Sequence, residues 1–256
     1  MADELVHYQV SQGVARVTLD SPHNRNALSA RLRGELRDHL SAATADDDVR
    51  VIVLDHTGPV FCSGMDLKEA GGASPSSQGV NEFPAILQQI WTSHKPVVAK
   101  LAGPARAGGV GIIAAADIAV AVDDASFAFT EVRIGVVPAI ISVTVLPRLL
   151  PRAAHELFLT GEKFSAARAV EIGLINSAVP ADQLDAEVDR YTAMLSLGGP
   201  KALAATKDML RRERATDMSS DFAEMLELSA GFFASAEGQE GIAAFAQKRK
   251  PNWVPE

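Results

Sequence analysis

The sequence has few of the features that mark secreted, metal-binding or membrane proteins. Its 256 residues include one cysteine, Cys62, which excludes an intramolecular disulfide and a cysteine-rich zinc site. No apolar run is long enough to span a bilayer. The first residues, Met-Ala-Asp-Glu, provide neither a basic region nor an apolar stretch, so we expect no signal peptide and a cytoplasmic location.

Positive charge is also scarce, and the histidines are not grouped. The formal net charge of −8 argues against binding to nucleic acid or to an anionic membrane. The six histidines are scattered without the spacing of metal ligands, so we expect no metal site.

The chain does have enough apolar residues, 47%, to build a substantial core. Residues 5–19 alternate around Gln12-Gly13, which predicts a β-hairpin, and Ser29 is a suitable N-cap for a helix that ends near Ala43. Further strands are expected at 49–54, 96–101, 117–122, 126–129 and 174–179. Further helices are expected from about Asp66 and at 81–93, 110–116, 138–149, 151–160, 165–172, 181–197, 200–212, 217–234 and 237–248. Strand-turn-helix units followed by helices alone predict an α/β core with a helical C-terminal appendage.

A glycine-rich turn at residues 102–109 joins a buried strand to a buried helix. Such a turn leaves backbone N–H groups unpaired at the start of the helix, where the helix dipole favours negative charge. The spacing Gly103-x4-Gly-Gly-x-Gly111 matches neither the dinucleotide-binding fingerprint nor the P-loop. An oxyanion is therefore a possible ligand, and a tight turn without any ligand is the alternative.

Residues 58–70 repeat this arrangement of strand, glycine turn and helix. Ligands of open α/β sheets collect where such turns meet, outside the carboxyl ends of the strands. Two N–H donors from two turns could bind one oxygen, as in an oxyanion hole.

These two stretches resemble the signatures of a known family. Phe61-Cys-Ser-Gly-Met-Asp-Leu-Lys68 and Gly103-x4-Gly-Gly-x-Gly111 with Asp117 are similar to motifs of the crotonase family, also called the enoyl-CoA hydratase/isomerase family. The similarity covers nearly the whole chain. Further matching segments occur in family order at 26–28, 129–138, 159–164, 169–175 and 240–245.

The resemblance implies an α/β fold, a crotonase-like spiral of ββα units with a C-terminal helical trimerisation region. It implies a spiral core at 1–195 with the acyl-CoA site, and a helical oligomerisation region at 196–256. The expected substrate is an acyl-CoA thioester, with no cofactor besides the CoA that belongs to the substrate. The expected assembly is a homotrimer or a dimer of trimers, without nucleic acid or membrane partners.

The resemblance also assigns site residues. The oxyanion donors are the N–H groups of Met65 and Gly108, which would bind the thioester oxygen as it becomes an enolate oxygen. The positions that correspond to CoA contacts are Arg25, Ala27, Leu28, Ser63, Gly64, Asp66, Leu67, Lys68, Gly109, Phe245 and Lys248. Phe245 and Lys248 match positions that often reach CoA from a neighbouring subunit.

Catalysis is expected to depend on Glu131. Hydratases of the family use two glutamates; the second matches Glu131, and the first falls on Gly111. Burial among apolar neighbours would raise the pKa of Glu131. One carboxyl could activate water and then protonate the α-carbon, or it could move a proton between carbons as an isomerase does.

We favour hydration, because residues around 108–112, 130–133 and 138–142 resemble the branch that includes methylglutaconyl-CoA hydratases. An enoyl-CoA isomerase is the alternative, and a non-catalytic acyl-CoA binder is the alternative outside enzymes.

Three other residues, Cys62, Ser142 and Arg106, could take part in chemistry, but the sequence supports each less well. Cys62 has no histidine partner in the sequence and is expected to be a small buried residue. Ala139 replaces the aspartate nucleophile of dehalogenase-type members, and Ser142 is expected to be an ordinary helix serine. Arg106 could meet a substrate carboxylate or face solvent.

Overall fold

The computed structural model describes residues 4–66, 69, 82–212 and 218–254. The loop expected at 71–80 and most of the helix expected from Asp66 lie outside these ranges. The described strands are β1 (Val6–Ser11), β2 (Val14–Leu19), β3 (Val51–His56), β4 (Val97–Leu101), β5 (Ala105–Arg106), β6 (Ile118–Val122), β7 (Ser126–Ala128), β8 (Phe164–Ser165) and β9 (Ser177–Val179).

The described α-helices are α1 (Ala30–Ala45), α2 (Phe83–Thr92), α3 (Gly108–Ala115), α4 (Ala139–Val145), α5 (Pro151–Thr160), α6 (Ala166–Glu171), α7 (Leu184–Ser196), α8 (Pro200–Arg211), α9 (Met218–Ala234) and α10 (Ala236–Ala246). Short 3₁₀ helices lie at Pro22–Asn24, Thr130–Ile134 and Ala181–Gln183.

Six strands form the main sheet, in the order β1-β2-β3-β4-β6-β9. The predicted hairpin is confirmed: β1 and β2 are antiparallel, with Val6 opposite Leu19 and Ser11 opposite Val14. The remaining neighbours are parallel, with Leu54 opposite Ala99 in the β3–β4 pair. The carboxyl ends of the parallel strands therefore meet at one edge of the sheet, where the glycine turns begin.

The sequences of the central strands explain why the main sheet is buried on both faces. Val51–Leu54 and Val97–Ala99 are continuous apolar runs with 0–2% exposure, as expected for parallel strands covered on both faces. Helix α1 packs on the sheet through Leu32, Leu36 and Leu40, and Ser29 caps it by accepting a hydrogen bond from Leu32 N. The predicted cap and helical period of α1 are confirmed.

A second sheet of three short strands, β5-β7-β8, lies beside the first. Strand β5 pairs parallel with β7, and β8 pairs antiparallel with β7. The sequence did not predict β5 or β8, because two residues are too short to show an alternation of apolar and polar side chains.

Helix α4 is shorter than the helix expected at 138–149 and ends at Val145. Pro147 lies just beyond it, and proline cannot donate the hydrogen bond that would continue the helix. The shortened helix leaves Arg148 free to turn its side chain towards the end of α3, where Nε donates to Ala114 O (3.1 Å) and Nη2 to Ala116 O (3.0 Å).

The described chain after α7 contains helices without strands, as expected. Helix α8 is joined to the core by the Lys207 ammonium, which donates to Lys95 O at 2.8 Å and to Asp117 Oδ2 at 2.5 Å. Helices α9 and α10 present large exposed apolar side chains, including Phe222 (66%), Leu226 (72%) and Phe245 (88%). The domain boundary near residue 195 and trimer formation stay predictions. No helix in the described ranges is both long and apolar enough to cross a bilayer.

His56 joins the ends of β3 and β4, just before the two glycine turns. Its Nε2 accepts a hydrogen bond from Ala102 N (2.9 Å), so Nδ1, 3.2 Å from Thr57 O, is the protonated nitrogen. The ring also packs edge-on against Phe61. Burial lowers the pKa of His56 below its ordinary value of 6.5, against smaller opposing effects of Thr57 O and Asp55.

We predict that acid weakens the fold through His56. Because its pKa is lower in the folded than in the unfolded state, its contribution is full above pH 6.5 and is lost as pH falls through the folded-state pKa. His56→Gln keeps an acceptor at about the position of Nε2 and cannot titrate. Denaturant unfolding should show a smaller loss of unfolding free energy on acidification for this variant than for the wild type, and equal losses would contradict the prediction.

Candidate active site

The two glycine turns lie side by side as paired backbone. Phe61 N donates to Pro104 O (3.0 Å) and Arg106 N donates to Cys62 O (3.0 Å), so Cys62 and Ala105 form a parallel bridge. Both segments therefore run in the same direction, and the residues that follow leave the pair at the same edge.

Small residues permit this close approach. A Cβ added to Gly109 would lie 2.7 Å from Cys62 Cβ and 2.8 Å from Cys62 O, which only glycine avoids. Gly64 has φ of +95°, a region that glycine adopts without strain, and a Cβ there would lie 3.0 Å from Ala107 Cβ. Cys62 is fully buried, and burial raises the pKa of its thiol to about 12, which confirms it as a small core residue.

The predicted oxyanion donors, Met65 N and Gly108 N, lie next to the contact between Gly64 and Ala107. A Cβ on Gly64 would lie 3.6 Å from Gly108 N, and Met65 N is the next backbone nitrogen after Gly64. Gly108 is the first residue of α3, so its N–H has no partner within the helix. Neither Met65 N nor Gly108 N donates to another group in the described part of the chain. The structure brings Met65 and Gly108 together, and their role as donors stays a prediction.

Glu131 lies on a third segment, which follows strand β7 and so begins beside the second glycine turn. Phe127 pairs with Ala105 in the parallel β5–β7 ladder, and Ala107 N donates to Ala128 O (3.1 Å). Glu131 follows on the 3₁₀ helix Thr130–Ile134, which is anchored by Phe129 in a cluster with Phe158 and Phe164 at centroid distances of 4.4 and 5.8 Å.

The Glu131 carboxyl is in an unusual electrostatic state. Its Oε2 is buried and has no hydrogen-bond partner among the described residues. Burial raises the pKa of Glu131 above the ordinary 4.5, and its own backbone N–H offsets this only in part. The predicted rise of this pKa is confirmed in direction. A carboxyl with a raised pKa and no ion-pair partner among the described residues can exchange a proton with a bound ligand.

Ile141 occupies the space at Gly111, the position that matches the first glutamate of the hydratases. A Cβ on Gly111 would lie 2.6 Å from Ile141 Cγ2 and 3.1 Å from Ile141 Cβ. The sequence shows that glycine stands in place of the first glutamate, but it does not show that Ile141 fills the space. Ile141 lies 30 residues away on α4, and only the packing of the helices brings it against Gly111.

Most of the expected CoA-binding residues lie on one strip beside the turns. Leu28 N donates to Gly64 O (2.8 Å), Leu28 forms a parallel bridge with Met65, and Ser63 N donates to Arg25 O (3.1 Å). Asn24 Nδ2 reaches Asp66 Oδ2 at 3.4 Å. Arg25 is exposed, whereas Ala27 is 7% and Leu28 is 0% exposed, so these two would offer backbone atoms more readily than side chains.

Four expected CoA contacts are not brought to this strip by the described structure. Leu67 and Lys68 lie outside the described residues. Phe245 lies in the last turn of α10, and Lys248 follows the helix. This segment is bonded to the start of α8 and to the residue after α7: Glu237 accepts from Lys201 N and Ala202 N, and Trp253 Nε1 donates to Leu197 O. Contacts from Phe245 and Lys248 to a neighbouring subunit's CoA stay a prediction.

Arg106 takes neither of the two expected roles. Its guanidinium donates to Ser126 Oγ (2.8 Å), to Ser126 O and to Ala105 O, and so holds β5 against β7. Ser142 Oγ donates to Ala139 O (2.6 Å), as an ordinary helix serine does. Among the described residues, no three His, Cys, Asp or Glu side chains are grouped so that they could hold a metal ion.

Comparisons with known proteins agree with this fold. The family model for enoyl-CoA hydratase/isomerase matches residues 9–255. The chain is 34% identical over 247 residues to the mitochondrial enoyl-CoA hydratase domain-containing protein 3 of Rattus norvegicus, covering 94% of this chain and 81% of that protein. The crystal structure of an enoyl-CoA hydratase from Shewanella pealeana matches with a TM-score of 0.90 at 30% identity, covering 97% of this chain and 96% of that one. An enoyl-CoA hydratase from Mycobacterium avium matches with 45% identity and a TM-score of 0.74, covering 98% and 99%.

The chain therefore belongs to the enoyl-CoA hydratase/isomerase family and has the crotonase fold. Members of this family act on acyl-CoA thioesters.

We predict that Gly111→Ala destabilises the protein by about 1–3 kcal/mol, because the new methyl group overlaps Ile141. Gly34→Ala in α1 is the matched control: its Cβ meets no atom within 4 Å, so it should be neutral or stabilising by up to about 1 kcal/mol. Denaturant unfolding measures both. In an Ile141→Ala background, Gly111→Ala should lower the free energy of unfolding much less than it does in the wild type. An equal loss in both backgrounds would contradict the overlap.

Proposed function

We propose that the protein is an enoyl-CoA hydratase, which adds water across the 2,3 double bond of an enoyl-CoA thioester. The Met65 and Gly108 N–H groups hold the thioester oxygen, and Glu131 is the acid and base. The observation that supports this most strongly is that Glu131 Oε2 is buried without a hydrogen-bond partner among the described residues and that the pKa of this carboxyl is raised.

The proposed reaction uses one carboxyl for two proton transfers. Ionised Glu131 takes a proton from water as the oxygen attacks the β-carbon, and the electrons of the double bond move into an enolate. The two N–H groups stabilise the enolate oxygen, each contributing about 3–4 kcal/mol if it resembles other oxyanion donors. Protonated Glu131 then delivers its proton to the α-carbon, which restores the thioester and the ionised carboxylate.

An enoyl-CoA isomerase is the second candidate, and the packing at Gly111 favours it. Moving a proton from one carbon to another needs one carboxyl, and Ile141 occupies the place of a second. The two reactions differ in product mass, because hydration adds a water molecule and isomerisation does not. Mass measurement after incubation with a 2-enoyl-CoA and with a 3-enoyl-CoA separates them.

Glu131→Gln should lower kcat by at least about 100-fold, because the amide can neither accept nor deliver the proton. The assay is hydration of crotonyl-CoA, with the mass of the product determined. Glu162→Gln, on the exposed loop after α5, is the matched control and should keep the wild-type rate. A folded Glu131→Gln protein with full activity would refute the assignment. A wild-type protein that binds CoA thioesters of many kinds and converts none would instead favour the non-catalytic binder.

The pH dependence of kcat/KM should also report Glu131. Because burial raises its pKa, the carboxyl stays protonated to a higher pH than an ordinary glutamate, and the base is lost as pH falls through the raised value. We therefore predict an acidic limb whose midpoint lies above 4.5. Each sample is returned to neutral pH and assayed again, so that acid unfolding is recognised. A midpoint at or below 4.5 would contradict the role.

A further inference from the structure

A cavity of about 630 Å³ lies between α2 and α4 and is open to solvent at Val143. It is lined by Pro84, Leu87 and Trp91 from α2 and by Ala139, Ile140 and Val143 from α4. This volume is in the range of small-molecule binding pockets.

The cavity adjoins α3 at two points. Phe83, the residue before Pro84, places a ring carbon 3.3 Å from a Cβ added to Gly108, the proposed oxyanion donor. Thr144, another lining residue, donates to Gly111 O at 3.1 Å. These contacts place the cavity along α3, the helix that begins at the proposed oxyanion donor Gly108.

The lining selects the chemistry of that group. None of the described residues that line the cavity is charged; the polar ones are Gln88, Thr92 and Thr144. A carboxylate or ammonium placed there would gain no counter-ion, whereas an apolar tail would cover apolar side chains such as Val143, which is 73% exposed. The cavity therefore suits an apolar tail without charge.

Trp91 is fixed at the far end of the lining. Pro84 and Trp91 lie in the first and last turns of α2, about 10 Å apart along its axis. The Arg148 guanidinium carbon lies 4.6 Å from the Trp91 ring centroid, and Arg211 donates to Trp91 O. Arg148 also bonds the carbonyls of Ala114 and Ala116, so the indole packs against a side chain that is itself held.

We propose that this cavity receives the apolar acyl tail of the substrate and that Trp91 sets the longest tail it accepts. The inference rests on the proposed function, since it takes the thioester to lie at Gly108. Trp91 is then a specificity-determining residue. The expected substrates are enoyl-CoA thioesters whose tails are uncharged and longer than that of crotonyl-CoA.

The first test is a series of straight-chain 2-enoyl-CoAs assayed with the wild type and with Trp91→Ala. Each methylene buried in the cavity should raise kcat/KM about fourfold, until the tail reaches Trp91 and the gain stops. Trp91→Ala should move this limit to longer tails. Trp91→Phe keeps a ring beside Arg148 and should move it less, which provides a result even if the alanine variant does not fold. An identical length profile in the wild type and a folded variant would overturn the inference.

The second test does not need turnover. Trp253→Phe leaves Trp91 as the one tryptophan, because the sequence contains two. Binding of saturated acyl-CoAs with a terminal bromine should quench its fluorescence strongly at the limiting length and less with shorter tails. CoA without an acyl group is the control and should not quench.

The outcomes separate this inference from the proposed function. Binding and quenching without hydration would leave the cavity assignment standing and refute the hydratase. Hydration with no quenching by any brominated thioester that binds would refute the cavity assignment alone. Failure of every CoA thioester to bind would refute both.

Discussion

The constraint on which the site depends is the contact between residues 62–64 and residues 105–109. Backbone pairing fixes their direction, and glycine at 64 and 109 removes the side chains that would separate them. The parallel β5–β7 ladder then adds the third segment, which ends in Glu131. Three stretches distant in sequence therefore end at one edge with Met65, Gly108 and Glu131, and these two pairings determine where each residue lies.

This arrangement holds Ala107 in a strained conformation. Its φ of +47° is one that alanine rarely adopts, and such residues cost about 1–3 kcal/mol. Both of its backbone polar groups are bonded: N donates to Ala128 O, while O accepts from Val110 N and Gly111 N. The strain is maintained at the residue directly before Gly108, where it turns the start of α3 towards the neighbouring turn. Sequence patterns do not indicate this, since alanine ordinarily adopts negative φ and nothing in the sequence marks Ala107 as an exception.

Local signals predicted the fold better than they predicted the site. Ser29, the Gln12-Gly13 hairpin and the apolar runs of β3 and β4 depend on neighbours in sequence, so they could be found without a structure. The engagement of Arg106 with Ser126, the filling of the space at Gly111 by Ile141 and the stacking of Arg148 on Trp91 depend on packing between distant segments. Glu131 was predicted from the family motif and its burial from its apolar neighbours, whereas the lack of a partner for Oε2 required the structure.

Two glutamates of this chain show what the surroundings of Glu131 achieve. Burial would raise the pKa of Glu35 as well, but hydrogen bonds from Leu5 N, the Arg31 guanidinium and Val6 N lower it below its ordinary value and keep that carboxyl ionised. In Glu131 only its own backbone N–H opposes the effect of burial, and Oε2 has no partner among the described residues, so its charged and neutral forms lie closer in free energy at neutral pH than those of an ordinary glutamate. A group that must accept a proton in one step and return it in the next needs both forms within reach. The lack of a partner for Oε2, which would be a defect in a structural carboxylate, is therefore what would suit Glu131 to transfer protons in the proposed reaction.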